Sequence, residues 1–222
     1  MEILQPLYQV GRLSVFTIFI GILLDTTICV NTTLQILKEN PTLYLQGLMA
    51  NYINLLFLSP IYYVIAYNYL LDTQQEYIHK MKYIYLLLIH SVGYYYIHQL
   101  MHKNLLFRWM HDFHHKFKIT TPTSGNAVSI FEFQFAYVLP FLVGAIILRP
   151  GCPEFEWSIA TISFFNLFIH SYEFVFIYLP PFLVTPFDHI THHITKSDTY
   201  AAPILNIDYI KKKIEDFYNK NF

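Results

Sequence analysis

Residues 43–71 read LYLQGLMANYINLLFLSPIYYVIAYNYLL, a stretch without a single charge. A bilayer core of about 30 Å takes about 20 apolar helical residues. This segment is longer than one crossing needs, and Pro60 should kink or split its helix. Read as one crossing, it puts the N-terminus opposite the C-terminus; read as a re-entrant hairpin, it puts both on one side. Similar segments lie on either side. Leu13–Val30 carries only Asp25, and Tyr83–Ile97 runs uncharged into a histidine-rich region. Val128–Leu148 is interrupted by Glu132 and Pro140, and in Trp157–Val184 the pair Pro180-Pro181 should end the helix near Leu179. The turn residues Arg149-Pro150-Gly151-Cys152-Pro153 between the last two predict a helical hairpin. No alternating strand pattern of about ten residues occurs, so a transmembrane barrel is excluded. The expectation is an all-α integral membrane helical protein, one membrane domain over residues 1–222, with four to five spans.

Composition agrees. Of the 222 residues, 55% are hydrophobic and 13% charged, the latter about half of the ~25% usual in soluble domains. Such a chain cannot cover its apolar surface with polar groups. A net charge of −1 gives no electrostatic footprint for nucleic acid. Cys29 and Cys152 read as free thiols. No Lys or Arg precedes the first apolar run within the first ten residues, and no small-residue cleavage site closes it, so it reads as a span and not a secretory signal. Nine of the 14 basic residues (Lys103, Arg108, Lys116, Lys118, Lys196, Lys211, Lys212, Lys213 and Lys220) fall in segment 98–127 or after residue 185. The positive-inside rule places these segments in the cytoplasm, although Lys80 and Lys82 lie on the other side in this scheme.

The 11 histidines are clustered. His98-Gln-Leu-Met-His102 is H-x3-H; His111-Asp-Phe-His114-His115 and His189-Ile-Thr-His192-His193 are both H-x2-H-H. On an α-helix, positions i, i+3 and i+4 share a face, so each box is expected to present its imidazoles in one direction. His170, four residues after Asn166, is a further candidate at the end of the last span. Neutral imidazole is the commonest nitrogen ligand for zinc, iron and copper. Eight or nine imidazoles exceed one tetrahedral site and suit two ions held between helices. Clustered histidines beside a membrane would repel one another when protonated and be costly when buried unpaired; metal removes both penalties. His79 and His90 stand alone and read as structural. Asp112 and Asp188 neighbour the boxes, either as solvated carboxylates or as groups orienting an imidazole through its second nitrogen. No box side chain need act as a nucleophile.

Other chemistries fit less well. An intramembrane zinc protease would carry a glutamate as general base where Gln99 stands. A haem carrier needs only an axial pair. A non-enzymatic histidine-rich metal-binding or transport protein remains the alternative, but transport sites lie near the bilayer midplane, whereas these boxes flank the apolar spans.

At these boxes, residues 85–210 resemble the fatty acid hydroxylase superfamily, which includes the sterol desaturases and C4-methyl sterol oxidases. The likeness extends to Thr199-Tyr200-Ala201 and Asn206-Ile207-Asp208, similar to the family's downstream Asn-Tyr-Gly and Trp-Asp pattern. It implies metal ligands His98, His102, His111, His114, His115, His189, His192 and His193, with His170 as the extra histidine before the last box. It also implies two iron ions, with zinc as a substitute on purification. The implied chemistry is O2-dependent hydroxylation or desaturation of a membrane lipid, with electrons from NAD(P)H through cytochrome b5 or a reductase. The implied location is the endoplasmic reticulum, boxes facing the cytoplasm. The chain departs from the family at Ser129-Ile130, where many members have His-Pro, and at Asn126, which replaces an upstream histidine. Ala201 and Ile207 replace the family's glycine and tryptophan. Whether Asn126, Ser129 or Asn166 completes a metal site is open at this level.

Overall fold

The computed structural model describes residues 3–196 and 199–221. Among them there is no β-strand, only the isolated bridges Asp72–Gly151 and Leu183–Leu205. The long helices are α1 (Leu4–Thr26), α3 (Pro41–Tyr69), α4 (Lys80–Lys103), α6 (Ile130–Leu148) and α7 (Cys152–Ile169). Shorter ones are α2 (Val30–Glu39), α5 (Leu105–His111), α8 (Pro186–Thr195) and α9 (Ile207–Asn221). Helices α1, α3 and α6 are long and apolar enough to cross a membrane. At 1.5 Å per residue, α4 is about 36 Å long, also sufficient to span, but it carries Lys80, Lys82, His90, His98, His102 and Lys103.

Hydrogen bonds fix the order of the bundle. Asp25, near the end of α1, accepts bonds from Tyr44 in the first turn of α3 (2.9 Å) and from the Thr123 backbone (3.2 Å) and hydroxyl. These contacts put the α1–α3 connection beside the turn at Pro122–Asn126. At the other end, the Asp72 amide donates to the Pro150 carbonyl (2.9 Å) and the His79 amide to Glu154 (2.7 Å). The five long helices therefore alternate in direction, and the segments with the histidine boxes gather at the Asp25 end. Helix α4 is central, packing on both α6 and α7. The charge in the first apolar run is thus structural: Asp25 is fully buried and ties the bundle to the cap.

Pro60 does not split its segment. The helix continues from Pro41 to Tyr69 through a π-helical turn at Ile53–Leu58, which excludes a re-entrant hairpin. Pro140 repeats the arrangement, with a π turn at Phe133–Val138 inside α6. A proline inside a helix removes one donor and crowds the carbonyl four residues back; widening the preceding turn accommodates both. The turn after α6 forms as expected, with Arg149 in the left-handed region (φ 43°) and Gly151 as N-cap of α7. A second departure concerns the end of α7, which stops at Ile169 and not near Leu179. There His170 Nδ1 bonds the Asn166 carbonyl (2.7 Å) and the Ser171 hydroxyl the Leu167 carbonyl (2.9 Å). Side chains thus satisfy the last helical carbonyls and turn the chain into the cap.

Candidate metal centre

The nine candidate histidines converge into two adjoining clusters. His98, His102, His111, His115 and His192 form one; His114, His170, His189 and His193 form the other, and within each the available ligand atoms lie within 4.8 Å of one another. Eight of the nine are buried; His102 is half-buried. The boxes do not each face one way, as simple helical spacing suggests. The second box sends His111 and His115 to the first cluster and His114 to the second. The third sends His192 to the first, and His189 and His193 to the second. The cause is local: helix α5 ends at His111, and His114–Lys116 is a tighter 3₁₀ turn that fans the rings apart. In α8, one cluster sits on either side of the helix face.

The Nε2 atoms point at one another. In the first cluster His98–His111 is 2.8 Å, His102–His98 3.2 Å, His115–His102 3.1 Å and His192–His102 3.0 Å. In the second, His170 lies 3.2 Å from His114, 2.9 Å from His189 and 3.2 Å from His193. The Nδ1 partners set the protonation. His98 Nδ1 donates to the Tyr200 carbonyl (2.7 Å) and His170 Nδ1 to the Asn166 carbonyl (2.7 Å). His111 Nδ1 donates to Glu132 Oε1 (2.6 Å). A neutral imidazole protonated at Nδ1 has a bare lone pair at Nε2. His98 and His111 thus aim two lone pairs at each other across 2.8 Å, repulsive unless a cation lies between them. Nitrogens about 2.0–2.1 Å from one metal ion stand roughly 3 Å apart at adjacent coordination positions, so both clusters fit a metal ion.

The cap histidines are held neutral. Burial, helped by the mutual repulsion that crowded imidazoles would feel on protonation, pushes His111, His114, His189, His192 and His193 well below the ordinary imidazole range, and burial with His98 and Lys196 nearby pushes His115 down to about 3. Only the neutral form offers a lone pair to a metal.

Asp188 accepts from the Thr185 hydroxyl (2.8 Å) and amide (3.2 Å), a capping box that starts α8; it orients no imidazole. Asp112 is exposed at a polar mouth shared with His102, Arg108 and Lys196. Asn166 donates to the Gly125 carbonyl (2.8 Å) and Asn126 Oδ1 (3.0 Å), and Ser129 caps α6 while donating to the Met110 carbonyl (2.5 Å). His79 and His90 lie outside both clusters. His90 packs between Tyr94 and Phe141. Sequence reasoning passed over Glu132 as an interruption of a span. It is fully buried on His111, and a lone carboxylate in an apolar run near a histidine box was the signal that could have found it.

Comparison with known proteins bears on the same residues. The fatty acid hydroxylase family model matches residues 83–212. A curated relative, fatty acid hydroxylase ahd1 of Mycosarcoma maydis, is 28% identical over 131 residues, covering 59% of this chain and 33% of the relative. The match therefore spans about a third of that relative's length. No solved structure matches. The family match runs from the second half of the bundle through the last box and contains every histidine of both clusters: the chain belongs to the fatty acid hydroxylase family.

Proposed function

We propose that this protein is a membrane-bound oxidoreductase that binds two iron ions in its histidine clusters and uses O2 to hydroxylate or desaturate a C–H bond of a membrane lipid. Its electrons come from NAD(P)H by way of cytochrome b5 or a reductase, and it sits in the endoplasmic reticulum with the cap in the cytoplasm. The observation that carries the reading is the pair of converging histidine sets, in which neighbouring Nε2 atoms stand about 3 Å apart. Iron bound there supplies the redox chemistry of oxygen activation. The chain's own part is coordination and exclusion of water: His98, His102, His111, His115 and His192 hold one ion, and His114, His170, His189 and His193 the other. The carbonyls of Tyr200 and Asn166 and the carboxylate of Glu132 fix tautomers and ring planes from behind. Arg108 and Lys196 beside His102 give the mouth a positive rim that suits an acidic electron donor.

The clusters lie where the helices meet the cap, not midway along the spans, which supports an oxygenase over a transport protein. The purified protein should contain two metal ions per chain, and its product should form only with O2 and reductant. An alcohol product should carry oxygen from O2. Oxygen from water in that product, or equal turnover without O2, would overturn the proposal.

A further inference from the structure

Both π-helical turns face one cavity. Leu55 of the first, with Ser59 just after it, and Phe133, Tyr137 and Val138 of the second line a single apolar space enclosed by α1, α3, α6 and α7. π turns are rare and concentrate at functional sites; here two, on different helices, converge. The rim carries the half-buried Leu13 and Ile159, on helices whose outer sides meet the bilayer in the membrane reading. The inner end differs. Asn126 is buried there; its Oδ1 accepts from Asn166, while its Nδ2 has no partner. Leaving a buried amide donor unmade is costly, so it calls for an acceptor oxygen on whatever fills the space. The same end is separated from the second histidine cluster by Asn166 and Gly125 alone. Asn166 holds His170 Nδ1, and the chain at Gly125 passes so close that an added Cβ would lie 2.9 Å from that nitrogen.

We infer that this cavity is a lipid-binding site, taking a hydrocarbon body along the π turns with an oxygen acceptor at its inner end on Asn126 Nδ2, beside the His170 cluster. The inference rests on the proposed function in one respect, that the bound lipid is read as the substrate. A carboxyl or ester carbonyl of an acyl chain and the hydroxyl of a sterol offer the same chemistry. The full-length protein in detergent is therefore photolabelled with a diazirine fatty acid and, separately, with a diazirine sterol, under argon and without reductant. Labelled peptides should come from 53–62 and 133–142 for whichever probe binds. Ile159→Trp at the rim and Ser163→Phe deeper in should each weaken labelling about tenfold or more, with metal content unchanged. Labelling by neither probe, labelling confined to other segments, or undiminished labelling in both folded, metal-loaded variants would overturn the site. Because no turnover is needed, labelling at these peptides without any oxidised product under O2 and reductant would sink the oxygenase reading and leave the site standing.

Discussion

His114 and His115 are adjacent in sequence and belong to different clusters, and so do His192 and His193. The variants should therefore sort by cluster and not by box. His115→Ala and His192→Ala should lose the same metal equivalent, His114→Ala and His193→Ala the other, and all four should lose turnover; metal analysis with iron spectroscopy checks the pairing. Loss following the boxes would contradict the interleaving. Glu132→Ala should weaken metal binding at the first cluster about 10- to 100-fold. Glu132→Gln should recover much of that, because an amide oxygen still accepts from His111 Nδ1; metal titration distinguishes them. The identities of the nine histidines were legible in the sequence, since imidazoles at three- and four-residue spacing are visible in one dimension. Their division was not, because it depends on α5 stopping at His111 and on a 3₁₀ turn that spacing alone does not reveal. Nor was the role of Glu132, which depends on two segments meeting.

Among the elements, α8 shows how a box is held. Thr185 and Asp188 cap its first turn, and Pro186 sits where its missing N–H is harmless. Thr185→Ala should lower stability by about 1 kcal/mol. Thermal unfolding of the metal-free protein reads this directly, and saturating metal should offset it because the clusters bind only the folded chain. An unchanged midpoint in the metal-free protein would mean the cap contributes nothing. Three of the expected spans, α1, α3 and α6, were legible from apolar length. Their joints were less so. Pro60 pointed to a break and Pro140 to an interruption, yet a wider turn absorbs each; and α7 ends ten residues before Leu179, where the prolines were expected to end it, because His170 and Ser171 satisfy its carbonyls first.

Across the whole molecule, five alternating long helices carry a cap at one end, and α9 leaves that cap with two unlike faces. Ile207, Ile210, Ile214 and Phe217 recur at three- and four-residue intervals, with Lys211, Lys212, Lys213 and Lys220 between and around them. Ile214 and Phe217 are more than half exposed, as expected of a helix lying in a headgroup layer. Placed as Trp in a background of Trp109→Phe and Trp157→Phe, residue 217 should be quenched by brominated lipids in vesicles; absence of quenching would put α9 in water. The interleaved boxes bear finally on how the protein is made. Each cluster takes histidines from both sides of α6 and α7, and neither is complete until His192 and His193 have been synthesised. No half of the chain holds a complete set: a translation product interrupted before His189 would carry four of the first cluster's five histidines but only two of the second's four, so the second cluster is the one that must wait for α8.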